Sequence, residues 1–333
     1  MKFDTSIAPE SLTQVPALVA AAEEAGVDAI WTSETQHDPF MPLALAAEHS
    51  RSIGLGTAIA VAFARSPGTV AYTAWDLAAA SGGRFMLGLG TQVRAHIERR
   101  FGLSWPESPA EGLRQFVGAV RALWASWQHG EKLAYRSDRY KLTLMTPFFN
   151  PGPIDCPEIP IFLAGVNPGM CRLAGEIADG LHAHPLHSIR YLREVVRPAL
   201  ADGAIEAGRQ PDEIQLSATA FVVADEQEAD QVRSQISFYA STPSYRRVMA
   251  LHGWEDVAER LSMLVRRGEW QAMAAEISDP MLETFAVVAP QAELGAALRA
   301  RYEGVVDRLA VYRPLKADDD LAEWRSIARA VRA

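Results

Sequence analysis

Eight times along this 333-residue chain a short apolar run gives way to a longer helical pattern. Glycine often marks the return to the next run. Gly26 precedes Asp28 to Thr32, Gly82-Gly83 precede Phe85 to Leu89, Gly208 precedes Ile214 to Val223, and Gly304 precedes Val306 to Tyr312. A glycine just past a helix takes the left-handed conformation that ends it. The pattern predicts strands near 2–7, 28–33, 53–59, 84–89, 160–164, 179–183, 214–223 and 306–312. Helices are expected near 13–25, 41–49, 67–80, 109–128, 168–178, 187–207, 225–240 and 290–302, with Thr13 capping the first. Alternating strands and helices imply parallel pairing through right-handed crossovers. Eight units favour an α/β architecture of the closed (β/α)8 TIM-barrel kind, a single domain over 1–333, against a doubly wound open sheet.

Two connections are too long for plain units. Insertions at about 129–159, after strand 4, and about 241–283, after strand 7, carry Tyr135, Tyr140, Phe148, Phe149, Tyr245 and Trp254. If they follow the strand ends, these rings reach the barrel mouth and favour a bulky apolar substrate. The alternative is that they cover hydrophobic surface.

Charge and composition exclude other classes. The 32 Lys+Arg against 41 Asp+Glu leave a net charge of -9, which argues against a nucleic-acid partner. No apolar run is long enough for a membrane helix. The start, Met1-Lys2-Phe3-Asp4, meets an acid too early for a signal peptide. Cys156 and Cys171 form no framework and fit a reducing compartment, so a cytoplasmic protein is expected.

Reactive groups of such barrels collect where strands end. The densest polar cluster, Ser33 to Asp38, follows the second strand. Its His37, Glu34 and Asp38 can serve as acid and base, although Asp38 before Pro39 also reads as a helix cap. Thr57-Ala58-Ile59-Ala60-Val61, after the third strand, leaves room for a flat ring near the backbone. Gly88-Leu89-Gly90-Thr91-Gln92 starts like a dinucleotide fingerprint, but Val93 occupies the third glycine position. Ala164-Gly165-Val166-Asn167-Pro168 opens a helix and lets an anion approach backbone N–H groups, or is only a well-capped helix start. His182, His184 and His187 lack an accompanying carboxylate, and no metal is expected.

Several of these segments together carry a resemblance. They are Ala25-Gly26-Val27-Asp28-Ala29-Ile30-Trp31 with Glu34, Gly54-Leu55-Gly56-Thr57, Arg65-Ser66-Pro67, Ser81-Gly82-Gly83-Arg84-Phe85-Met86-Leu87-Gly88-Leu89-Gly90, Pro160 to Gly165, and Ala174 to Gly180. In that order, over about residues 1–312, the chain resembles the bacterial luciferase-like superfamily, and most of all its coenzyme F420-dependent branch. The resemblance implies a deazaflavin cofactor, F420, or FMN as the alternative. Ala58, Ile59 and Ala60 would lie behind the ring, with a non-prolyl cis peptide at Ala58–Ile59. Gly90 and Thr91 would flank the cofactor's side chain, and Ala164, Gly165, Val166 and Asn167 would cradle its phosphate. Many members place a catalytic His directly after the acid, where this chain has Thr35, so His37 becomes the expected proton donor. Val93 replaces a second acid of the sugar-phosphate dehydrogenases, which argues against sugar phosphates.

The expected activity is hydride transfer between F420 and an apolar small-molecule substrate. Reduced-FMN oxygenation and ligand binding without turnover are the alternatives. A homodimer is expected through the helices near 41–49 and 67–80, which carry Tyr72 and Trp75.

Overall fold

A computed structural model describes residues 1–333. Each apolar run forms a strand: β1 (Lys2–Ser6), β2 (Ala29–Thr32), β3 (Gly54–Thr57), β4 (Phe85–Gly90), β5 (Ile161–Gly165), β6 (Gly180–Ala183), β7 (Gln215–Val223) and β8 (Arg308–Val311). Every neighbouring pair is parallel, from β1–β2 through β6–β7 and β7–β8. β8 then pairs with β1, Phe3 opposite Leu309, so the sheet closes on itself. Closure rules out the open doubly wound sheet.

The helices between strands are α1 (Val15–Ala25), α2 (Phe40–His49), α3 (Pro67–Ala80), α4 (Pro109–His129), α5 (Pro168–Ile177), α6 (189–206), α7 (Glu226–Ala240) and α8 (Leu294–Tyr302). A π-helical turn at Leu192–Val196 interrupts α6. The expected cap Thr13 does not cap α1. Ser11 and Gln14 form a capping box around a 3-10 turn at Leu12–Gln14, and α1 continues directly from it. The last helix, Leu321–Arg332, follows the Asp318–Asp320 turn and buries Trp324 completely.

Inside the barrel one ion pair spans the closure. Arg308 of β8 donates twice to Asp4 of β1, at 2.7 and 2.8 Å, and both residues are buried. Trp31 of β2 donates its Nε1–H to the same carboxylate at 3.0 Å. Burial pushes the Asp4 carboxyl upward, while Arg308 and Trp31 pull it down.

The two insertions lie on opposite sides. Residues 129–159 follow α4, not a strand end, and run over the outside of α3 and α4 towards the N-terminal end of the barrel. Cys156 lies against Gly83, just before β4. Tyr135 donates to the Gln115 carbonyl at 2.9 Å, Tyr140 packs on Phe116, and Phe148 and Phe149 face solvent. None of these four reaches the mouth, which corrects the expectation. Residues 241–283 lie at the C-terminal end, because Ala286–Val288 returns to pair with Phe221–Val223 at the end of β7. From this insertion Tyr245 reaches the strand ends, whereas Trp254 stacks on His252, away from them.

The Asp4–Arg308 pair yields a stability prediction. Asp4→Ala leaves a buried guanidinium without its partner and is expected to lower unfolding free energy by about 3–5 kcal/mol. The double variant Asp4→Leu/Arg308→Met removes both charges and should recover most of that loss in urea titration.

Candidate active site

A cavity of about 440 Å³ opens at the C-terminal ends of the strands. Trp31 forms part of its wall, and Ser217, Thr219 and Ala310 also line it. Nearer the mouth lie Ser6 to Glu10, the loop after β2, Ala58, Ile59, Ala164, His184, Tyr312 and Pro314.

The loop after β2 is organised by Arg65. Its guanidinium binds Glu34 closely and reaches Asp38 at 2.7 Å. Glu34 also accepts the Val61 N–H at 2.7 Å, and its side chain is 6% exposed. Asp38 accepts the Phe40 N–H at 2.8 Å, so it does begin α2 as a cap. Both carboxylates are therefore occupied by Arg65 and backbone. Neither hydrogen-bonds to His37, which is exposed at the cavity rim. The structure brings His37 to the cavity, keeps Asp38 at its edge, and places Glu34 behind the wall as a brace.

The ends of β2 and β3 are stitched together. Ala58 N–H donates to the Thr32 carbonyl at 2.7 Å, Ser33 donates to the Ala58 carbonyl at 2.8 Å, and Glu34 N–H donates to the Ile59 carbonyl at 3.2 Å. The Ala58–Ile59 peptide is cis. Ala58 and Ile59 face the cavity, while Ala60 is buried and pairs with Leu89. Two glycines of β4 are required by this approach. A Cβ on Gly88 would meet the Thr57 carbonyl at 1.7 Å, and one on Gly90 would meet Ile59 at 2.8 Å. That is the physical reason for the glycines that mimicked a dinucleotide fingerprint. Thr91 donates to the Gln92 carbonyl at 3.0 Å.

Ala164 lines the same cavity, and Gly165 is buried against Leu181. The Val166 carbonyl accepts the Tyr191 hydroxyl. Asn167 stands at the N-terminus of α5 with no side-chain cap bond, and its amide N–H donates to the Ser244 carbonyl at 3.0 Å. Asn167, Pro168, Gly169, Pro243, Ser244 and Arg247 line a second recess. Arg247, from the second insertion, brings a cation to the α5 N-terminus that the sequence pattern did not reveal.

Two histidines in and just after β6 also belong to the cavity wall. His182 and His184 are two apart, which places both on the inner side, and both line the cavity. His182 lies edge-on to Trp31 at 4.6 Å, and its Nε2 is buried without a hydrogen-bond partner. Burial pushes His182 and His184 down to about 3 and His187 down to about 4, so all three are neutral imidazoles. His187 is held between the His184 carbonyl at 2.8 Å and the Tyr302 hydroxyl at 3.0 Å. Burial raises the Cys171 thiol to about 12, which leaves it inert as a nucleophile.

With the barrel and cavity described, comparison with known proteins places the chain. The luciferase-like monooxygenase pattern matches residues 2–308, and the chain belongs to that family. It is 46% identical to an uncharacterized protein of Mycobacterium bovis, over 93% of this chain and 92% of the relative. It is 27% identical to the 5,10-methylenetetrahydromethanopterin reductase of Methanolobus tindarius, over 86% of each chain. Its fold is that of the coenzyme F420-dependent tetrahydromethanopterin reductase from Methanopyrus kandleri, with a TM-score of 0.80 at 23% identity, over 99% of this chain and 98% of the other. The protein is thus an oxidoreductase of the luciferase-like family, whose members and neighbours use a deazaflavin or a flavin. No helix is long and apolar enough to cross a membrane.

The bracing role of Glu34 is testable. Glu34→Ala leaves the Val61 N–H and Arg65 without their acceptor and is expected to lower stability by about 1–3 kcal/mol in urea titration.

Proposed function

We propose that the protein transfers hydride between coenzyme F420 and a neutral, largely apolar organic substrate. The observation that carries this reading is the wall at Ala58, Ile59 and Ala164. Small and aliphatic residues there present a face to the cavity that a flat ring system can cover. Gly90 fits the same purpose, since any side chain there would push Ile59. The recess at Asn167, Ser244 and Arg247 fits an anionic tail, combining a helix N-terminus with a guanidinium. F420-dependent relatives among the sequences similar to this chain support the deazaflavin over FMN.

Bound there, a deazaflavin supplies two-electron hydride chemistry at its ring carbon. The protein supplies position and proton handling. Ala58 and Ile59 would back one ring face, with Ala60 buried behind them. Gly90 and Thr91 would border the side chain, and Ala164, Gly165, Val166 and Asn167 would hold the phosphate, Ala164 from the main cavity and Asn167 from the second recess. On the open side His37 is the group that moves the proton, since an imidazole gives and takes protons near neutrality. Glu34 and Asp38 act on it indirectly, by fixing its loop through Arg65.

The cavity lining supports a neutral substrate. It includes no Lys or Arg, while Ile7, Pro9, Pro42 and Pro314 are apolar. Homodimer formation belongs to the same proposal, on a revised surface. Tyr72 and Trp75 are used within the chain, donating to the Phe149 and Gly152 carbonyls. The apolar surface beside α3 is instead carried by Leu144, Phe148 and Phe149, exposed by 78%, 89% and 62%. Light scattering at micromolar concentration is expected to give twice the protomer mass, and Phe148→Glu/Phe149→Glu should give a monomer.

The activity is tested by fluorescence titration with F420 and with FMN. Tighter binding of F420 is expected; tighter binding of FMN would favour reduced-FMN oxygenation instead. His37→Ala should lower turnover by ~10²–10⁴-fold while leaving F420 affinity nearly unchanged. Wild-type turnover in that variant would remove His37 from the mechanism.

A further inference from the structure

The mechanism above leaves unused an imidazole that the fold holds with unusual care. His184 follows directly on β6 and lines the cavity. Its ring lies face-on to Tyr245 at 4.1 Å and edge-on to Tyr239 at 4.6 Å. The Leu186 N–H donates to its Nδ1 at 3.1 Å. A nitrogen that accepts carries no proton, so in the neutral ring the proton is on Nε2. That Nε2–H has no partner within the protein, yet it is not among the buried unpartnered atoms. The second hydrogen-bonded level, from the His184 carbonyl to His187 and Tyr302, fixes the turn that carries the ring.

We propose that His184 is a fixed hydrogen-bond donor for the oxygen of a neutral ketone or alcohol substrate, a proposal that rests on the hydride-transfer reading above. Three observations combine. The donor is oriented by its neighbours before any ligand arrives, so little ordering is required on binding. The rings of Tyr245 and Tyr239 pack against it, and Tyr312, next to Tyr239, lines the cavity. The lining offers no Lys or Arg to a carboxylate or phosphate; of its two acids, Asp38 is paired with Arg65 and Glu10 adds negative charge at the mouth. What remains is a donor suited to an uncharged acceptor oxygen in an apolar setting. Because burial keeps the imidazole neutral, His184 polarises that oxygen without delivering a proton. Proton transfer is left to His37 at the rim, so the two histidines have separate roles.

The test uses the wild-type protein with 15N-labelled histidine. Long-range 1H–15N spectra are expected to show His184 as the Nε2–H tautomer, unchanged between pH 5 and 8, flanked by Tyr239, Tyr245 and His187 and by no carboxylate. Acetophenone is the probe. It should shift the Nε2–H resonance, whereas ethylbenzene, with the same ring and no oxygen, should not, and benzoate should not bind. His184→Phe should weaken acetophenone binding about 10-fold or more, and His184→Gln, which keeps an N–H donor, should restore most of it. A proton on Nδ1, equal responses to acetophenone and ethylbenzene, or unchanged acetophenone affinity in His184→Phe would each overturn the proposal. F420 titration of the same samples separates the two readings. If F420 fails to bind while the acetophenone response stands, the cofactor assignment falls and the role of His184 does not.

Discussion

The buried contact among Asp4, Arg308 and Trp31 links barrel closure to the site. Asp4 and Arg308 belong to the first and last barrel strands, so their pairing joins chain positions far apart in sequence. Two buried charges are tolerable only when paired and hydrogen-bonded. Trp31 supplies the further donor, and its indole is thereby fixed in orientation. The same indole supports His182 and Phe162 edge-on and forms part of the cavity wall. An interaction that closes the barrel therefore also shapes the wall against which a ligand would lie.

The barrel was legible because its signals are periodic and local. Eight apolar runs and glycine-ended helices such as α1 need no knowledge of tertiary contacts. Positions that depend on distant segments were less legible. Thr13 looked like a cap because it precedes Pro16, yet Ser11 and Gln14 take that role through a reciprocal contact. The aromatics of 129–159 were expected at the mouth because long connections often follow strand ends. Here the connection follows a helix: Tyr135 and Tyr140 pack on α4, while Phe148 and Phe149 face solvent.

The candidate site divides in the same way. The cluster after β2 was visible as a run of polar residues. Its internal division was not, since Arg65 lies 27 or more residues away and takes both carboxylates. Arg247 was equally hidden, in an insertion whose return to the α5 terminus no local pattern announces. The inward side of His182 and His184 was readable from their spacing of two. What the sequence lacked was the Leu186 N–H that fixes one tautomer and the burial that keeps both rings neutral.

These placements keep strong charge off the inner walls of the cavity. Asp4 and Arg308 neutralise each other within the barrel, Glu34 turns away to Arg65, and Asp38 is held at the rim by the same guanidinium. The deeper imidazoles are uncharged. In an environment where few charges compete and water is partly displaced, one oriented N–H has more influence than at an exposed surface. A ligand with a formal charge would lose hydration without gaining a counter-ion. A neutral ligand with one acceptor oxygen would lose less and could satisfy a donor already in place. On the proposed reading, selectivity by charge would follow from where the fold hides its ions, before any specific contact is considered.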